Sequence, residues 1–263
     1  MIPVALTIGG SDPSGGAGIQ ADLKTFHQFG VYGQSAITLI TVQNTMKVSR
    51  VDCLDPQLVQ EQIEAVLEDF PPDAVKTGAL GNSAIIEVVA RMWSTSAIPL
   101  IVDPVMISKH GASLIAADAR EALVSLLLPC ATLVTPNLHE AEALAGFPVD
   151  SLDSMKRAAE RILSFGPKAV LVKGGHLAGN ATDVLYFGGA FLVLDAVRSN
   201  TIHTHGTGCT YSAAITASIA AGMELDAAVC RAKLFITEAI RTNPGLGKGS
   251  GPVNHHATFE ARV

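Results

Sequence analysis

The sequence predicts a three-layer α/β/α fold with a largely parallel central sheet and one small hairpin. Short apolar runs alternate with amphipathic stretches along the whole chain, which is the pattern of repeated βα units. Mean hydropathy is high, at +0.36, yet no uninterrupted apolar run approaches the roughly 20 residues of a membrane span. Strands buried on both faces of a parallel sheet raise hydropathy in this way. The hairpin is signalled by Gly188-Gly189 between two apolar runs. Internal repeats, charge blocks and Ser/Pro linkers are lacking, so residues 1–263 read as a single domain.

The elements follow in order. Val4-Ala5-Leu6-Thr7-Ile8 reads as a buried strand. It runs into the glycine-rich loop Gly9 to Gly18, and a helix follows with Ile19, Leu23, Phe26 and Phe29 on one face. In open α/β sheets, loops at the carboxyl ends of strands bind ligands, and Asp12 and Asp22 flanking the glycines favour that role here. The spacing of Gly15, Gly16 and Gly18 fits neither a Walker A loop nor a dinucleotide fingerprint. A second strand, Ser35 to Val42, ends at Gln43-Asn44-Thr45. An amide there can donate and accept together, which suits a heterocycle with an amine beside a ring nitrogen; a simple turn explains Asn-Thr equally well.

Helix Pro56–Phe70, strand Ala74-Val75-Lys76, a helix marked by Ile85 to Met92, and strand Leu100-Ile101-Val102 come next. The last of these closes on Asp103-Pro104, where a buried acid must be paired, exposed or bound to a cation. A helix around Arg120–Leu127 and strand Thr132-Leu133-Val134 lead to Thr135-Pro136-Asn137-Leu138-His139-Glu140. Asn137 and Glu140 have capping-box spacing, and a helix start at a strand end also points toward the ligand. Helix Met155–Phe165 and strand Ala169–Lys173 precede the hairpin strands Val184–Phe187 and Phe191–Leu194, and a last helix covers about Asp226–Asn243. Glycine-rich segments near Ser108–Ser113 and Gly175–Asn180 are expected flaps.

The chain is organised around His205-Gly206-Thr207-Gly208-Cys209-Thr210, which opens directly into the small, apolar helix beginning near Ser212. A glycine turn at a helix start leaves backbone N–H groups unpaired at the positive end of the dipole, a corner that binds phosphate. Cys209 falls in the first turn, where a thiol's pKa is expected to drop. A tight strand-to-helix connection accounts for the same residues.

The formal net charge of −6 argues against a nucleic-acid partner. The four cysteines are scattered, with no C-x-x-C pair, which argues against a disulfide scaffold and for a reduced, cytoplasmic setting. The N-terminus has no basic segment or cleavage pattern of a signal peptide, and no membrane partner is expected.

Taken together, the blocks Gly10 to Asp22, Val42 to Thr45, Asp103 to Met106, Thr135 to Ala141, Lys173 to His176, His205 to Thr210 and Gly247 to Pro252 resemble the ribokinase superfamily. Within it, the chain is similar to the hydroxymethylpyrimidine/phosphomethylpyrimidine kinases of thiamine biosynthesis over nearly its whole length. The resemblance implies a ribokinase-like fold. It also implies phosphorylation of 4-amino-5-hydroxymethyl-2-methylpyrimidine, then of its monophosphate, with ATP and Mg²⁺. Gln43 would read the amine and ring nitrogen, while Gly10, Ala17, Asp22, Thr41 and Val105 would line the pocket. Asn137 and Glu140 match the magnesium-organising N-x-x-E element, with Asp103 as a second acid. Gly206, Thr207 and Gly208 would form the anion hole, Lys173 would add positive charge near the ATP phosphates, and Cys209 sits where sugar kinases carry an aspartate base. A homodimer is the expected assembly.

Two positions depart from the family pattern. Lys76-Thr77-Gly78-Ala79 has Ala where Met is frequent, leaving a smaller wall, and His203 replaces a common asparagine and reads as a solvated strand residue. The rival readings are a pyridoxal kinase, a non-catalytic pyrimidine sensor, and a cysteine hydrolase pairing Cys209 with His205.

Overall fold

A computed structural model describes residues 1–106, 118–175, 177 and 179–258. The expected flap at 108–113 lies outside the described residues, as do His176 and residue 178 of the second. Among the described residues, nine strands form one sheet in the order β3-β2-β1-β4-β5-β6-β7-β8-β9. The strands are β1 (Val4–Ser11), β2 (Tyr32–Gln43), β3 (Val48–Cys53), β4 (Ala74–Thr77), β5 (Leu100–Val102), β6 (Leu133–Val134), β7 (Ala169–Val172), β8 (Asp183–Phe187) and β9 (Ala190–Leu194). Pairing is parallel from β2 through β7, and β3, β8 and β9 join antiparallel at the two edges.

The apolar strand runs are apolar because both faces are covered. In β5, Leu100 and Val102 belong to one core and Ile101 to the other. In β7, Val170 and Val172 face the first core, and Ala169 and Leu171 the second. On the first face lie α2 (Pro56–Asp69), α3 (Ser83–Trp93), α4 (Ala119–Ala122), α5 (Leu138–Ala145) and α6 (Leu152–Leu163). The other face carries α1 (Gly18–Gln28), α7 (Thr207–Ala220) and α8 (Leu225–Arg241). The stretch read as a helix around Arg120–Leu127 continues from α4 through a π-helical turn, Leu123–Leu127, and a 3₁₀ turn, Leu128–Cys130.

Local signals set the element ends. Asp55 caps α2 ahead of Pro56, Asn82 caps α3, and Gly146, at φ +83°, ends α5. Gly188 and Gly189 have φ of +58° and +79°, the left-handed pair that a two-residue hairpin requires.

The sequence reading missed β3. Its residues Val-Ser-Arg-Val-Asp-Cys do not alternate apolar and polar, and none of them is fully buried, so the strand is held by ladder bonds to β2 rather than by an apolar face. Asn44 makes the connecting turn by accepting from the Met46 and Lys47 N–H groups at 2.9 and 3.1 Å. The plain turn reading is therefore the one the structure assigns to Asn44.

Candidate active site

At the carboxyl ends of the parallel strands lies a cavity of about 930 Å³. Every residue singled out from the sequence as a site candidate lines it. Gly10, Ala17, Asp22, Thr41, Gln43 and Val105 lie along it with Asp103, Asn137, Glu140 and Lys173, and with Gly206, Thr207, Gly208 and Cys209.

The turn before α7 is built by glycine. Gly206 has φ +76°, and a Cβ there would overlap the Gly16 carbonyl. The Thr207 N–H goes to the Thr204 carbonyl, and Thr210 is the first to bond back, to Gly206 at 2.8 Å. The Gly208 and Cys209 N–H groups fall between them, outside the helix's own ladder, as an anion site needs. A Cβ on Gly208 would stand 3.3 Å from Lys173 Nζ and 3.6 Å from Asp103 Oδ2. The turn therefore sits directly over an ion pair: Lys173 Nζ donates to Asp103 Oδ1 at 2.8 Å. Burial opposes the Asp103 charge, but Lys173 and Lys76 hold its carboxyl below the usual range.

The capping box forms as its spacing predicts. Asn137 Oδ1 accepts the Glu140 N–H at 3.0 Å, and Glu140 Oε2 accepts the Asn137 N–H at 2.8 Å. Burial, with Asp103's charge adding to it against Lys173, pushes the Glu140 carboxyl up to about 7. Among the described residues no group of three or more His, Cys, Asp or Glu side chains is arranged to hold a metal ion. Mg²⁺ keeps several waters and takes one or two carboxylates plus phosphate oxygens, so Asp103 and Glu140 fit that ion as a donor set.

Two expectations are corrected and one rival reading is removed. The Cys209 thiol does not fall in pKa. Burial pushes it up to about 11, with Asp22 and Asp103 adding to the rise against the pull of Lys76 and a bond from the Gly18 backbone. Desolvation of the thiolate outweighs the helix start. His205 is not a partner for the thiol, because its Nε2 meets Asp12 Oδ2 at 2.8 Å, which removes the hydrolase pair. His203 is no solvated strand residue: half-buried, its Nδ1 accepts the Gly251 N–H at 3.1 Å.

Three features escaped the sequence reading. Lys76 pairs with Asp22 at 2.8 Å in the interior; a lone lysine inside the apolar run Ala74–Thr77 was the available signal. Lys233 donates to Asp183 Oδ2 at 2.6 Å and to the Ala181 carbonyl at 2.7 Å. It interrupts the apolar stripe Val229, Ile236 and Ile240 of α8, which marks it in the sequence. Asp12 organises the first loop by accepting from the Ser14 N–H at 2.8 Å and the Ala17 N–H at 2.9 Å.

A helix start open to an anion, set over a lysine–aspartate pair where parallel strands end, defines an α/β enzyme of phosphoryl transfer. The phosphomethylpyrimidine kinase family model matches residues 12–254, and the chain belongs to that family. It is 48% identical over 256 residues to the hydroxymethylpyrimidine/phosphomethylpyrimidine kinase of Bacillus subtilis, covering 96% of this chain and 94% of that one. Among solved structures, phosphomethylpyrimidine kinase from Clostridium difficile superposes with a TM-score of 0.80 at 47% identity, covering 90% of this chain and 99% of that one. An ADP complex of Bacillus subtilis pyridoxal kinase superposes with a TM-score of 0.90 at 39% identity, covering 98% of both chains. The fold is ribokinase-like and the chain is a kinase, as the sequence motifs implied. Among the described residues no helix is long and apolar enough to cross a membrane.

Proposed function

We propose that the chain phosphorylates 4-amino-5-hydroxymethyl-2-methylpyrimidine with ATP, and then phosphorylates the monophosphate to the pyrophosphate, in thiamine biosynthesis. The observation that carries this reading is the shared cavity. Gln43, an amide able to meet an amine and a ring nitrogen together, opens onto the same space as the Gly206–Gly208 turn.

In the first step the hydroxymethyl oxygen attacks the γ-phosphorus of ATP, and ADP leaves with the bridging oxygen. The second step repeats this with a phosphate oxygen as acceptor. Such transfers are loose, so positioning and charge stabilisation dominate. Gly10, Ala17, Asp22, Thr41 and Val105 hold the ring, and Gln43 orients it. The turn's N–H groups and Lys173 stabilise charge on the transferring group, with Asn137 at the same end holding the helix start of α5. Cys209 takes the hydroxymethyl proton through its minor thiolate form, because the neutral thiol has no site for it. Mg²⁺, when bound, would be held by Asp103 and Glu140 and would neutralise phosphate charge.

The whole described chain acts as one kinase unit, which the continuous sheet supports. The working assembly is a homodimer, consistent with the exposed Ile40, Val42 and Met46 on and beside the outer face of the β2–β3 hairpin. The setting is cytoplasmic; the four cysteines are free thiols.

Pyridoxal phosphorylation is the second reading, favoured by the close superposition on a pyridoxal kinase and by the small Ala79 wall. The experiment is ADP release with MgATP against the hydroxymethylpyrimidine, its monophosphate and pyridoxal. Turnover of both pyrimidines with pyridoxal poor supports the first reading. Preference for pyridoxal replaces it with the second, and no turnover of any acceptor leaves a sensor.

A further inference from the structure

His205 is the meeting point of three segments far apart in the sequence. Its side chain reaches Asp12 in the loop after β1, at 2.8 Å. Its backbone N–H donates to the Gly251 carbonyl at 2.9 Å, and its carbonyl accepts from the Val253 N–H at 3.3 Å, so the C-terminal segment runs alongside it. Directly after it comes Gly206, whose Cα packs against the Gly16 carbonyl so closely that no side chain fits. A Cβ on Gly16 would likewise stand 2.6 Å from the His205 ring.

Asp12 is 2% exposed and spends its acceptor capacity on this junction. Oδ1 takes the Ser14 N–H, and Oδ2 takes the Ala17 N–H at 2.9 Å and the His205 ring at 2.8 Å. Ala17 itself lines the cavity. Asp12 therefore shapes the loop that faces the acceptor and grips the residue that begins the phosphate-binding turn. Gln43 also acts on this carboxylate, so the residue proposed to read the ring lies against the same group. Nothing in the phosphoryl-transfer chemistry uses Asp12 or His205 directly.

We propose that Asp12 and His205 are positioning residues that lock the anion-binding turn to the acceptor-binding loop, so that the acceptor oxygen lies in line with the transferring phosphoryl group. The proposal rests on the kinase reading above. Two loops from opposite ends of the chain must hold the reacting atoms within a narrow distance, and misplacement by about 1 Å costs roughly 10²-fold in rate. The hydrogen bond to a buried carboxylate is among the stronger ones available for such a lock.

The lock predicts a specific failure when it is opened. The turn still takes the phosphates, but the acceptor is out of line and water replaces it. ATP and water then give ADP and inorganic phosphate without phosphorylated product. The test compares wild type with His205→Leu, which loses the bond, His205→Gln, which keeps an N–H donor near the position of Nε2, and Asp12→Asn. ADP release, phosphorylated product, KM for MgATP and thermal midpoint are measured for each.

The expected result is a fall in product kcat of about 10²-fold for His205→Leu, with KM for MgATP changed less than about threefold, a ratio of ADP released to phosphoryl groups transferred to the acceptor rising above one, and recovery of at least about tenfold in His205→Gln. Asp12→Asn falls between them. If every variant that folds keeps wild-type kcat and one ADP per phosphoryl group transferred, the lock is wrong. If His205→Gln and His205→Leu lose the same activity in step with their thermal midpoints, the junction is structural only and the proposal is overturned. Should wild type itself fail to turn over any acceptor, the kinase reading fails instead, so the two are separated.

Discussion

Lys76 and Asp22 form an ion pair at 2.8 Å, and neither side chain is more than 1% exposed. Thr7 also donates to Asp22 Oδ2, at 2.6 Å. Burial disfavours the Lys76 ammonium, but the carboxylates of Asp22 and Asp103 keep it protonated. Breaking a buried pair by removing one partner costs about 3–5 kcal/mol, because the other charge is left unpaired. Lys76→Met should therefore lower stability by about that amount in chemical denaturation, and Lys76→Met with Asp22→Asn should recover part of it. A single substitution with an unchanged midpoint would show that the pair contributes no net stability.

Cys209 bears on rate through its protonation. With the thiol at about 11 in the ligand-free site, roughly one molecule in a thousand carries the thiolate at pH 8. Deprotonation grows as pH rises, so alkylation by iodoacetamide should be slow at pH 7 and quicken about tenfold per pH unit. Cys209→Ala should depress kcat much more than it weakens ATP binding, and should flatten the alkaline rise in rate. An unchanged kcat would remove Cys209 as the base and leave the turn as the main catalyst.

Glu140 links the site to stability. Its carboxyl stands at about 7 in the folded chain against an ordinary 4.5, so the folded state holds this proton more tightly than the unfolded state does. Its contribution is full below about pH 4.5 and is lost as pH climbs to about 7. The size is about 3 kcal/mol from the free energy per pKa unit. In EDTA, Glu140→Gln should remove this part of the pH dependence and raise the thermal midpoint at pH 8 above wild type. Its turnover should also demand more Mg²⁺ than wild type. A variant less stable than wild type at pH 8 would contradict the raised carboxyl.

Gln43→Leu tests the reader of the ring. Losing paired hydrogen bonds to a bound heterocycle leaves its polar atoms unsatisfied, a cost of about 1–3 kcal/mol. The pyrimidine KM should rise roughly 10- to 100-fold, with KM for MgATP little changed. Steady-state kinetics with both substrates varied provides the check; an intact pyrimidine KM would place recognition elsewhere in the cavity.

Much of the frame was legible along the chain. The alternation of apolar runs and amphipathic helices anticipated the parallel strands because burial on both faces leaves few polar residues in a strand. Asn137 and Glu140, three residues apart, announced their own capping box, and Gly188-Gly189 announced its turn, since both depend only on neighbours in sequence. The edge strand Val48–Cys53 was hidden because its residues form no continuous apolar face. Lys76 and Lys233 each left a trace as a single charge in an apolar pattern, but their partners Asp22 and Asp183 lie 54 and 50 residues away.

By itself, then, the sequence determined the order of the elements other than β3, the glycine turn at Gly206–Gly208 and the family, all of which rest on local pattern. Only the tertiary structure decided that His205 pairs with Asp12 rather than with Cys209, that His203 holds the Gly251 backbone, and that the thiol rises in pKa instead of falling. The physical reason is common to these cases. A side chain's partner and its desolvation depend on which distant segments fold against it, and an electrostatic balance between burial and opposing charges has no expression in spacing along the chain.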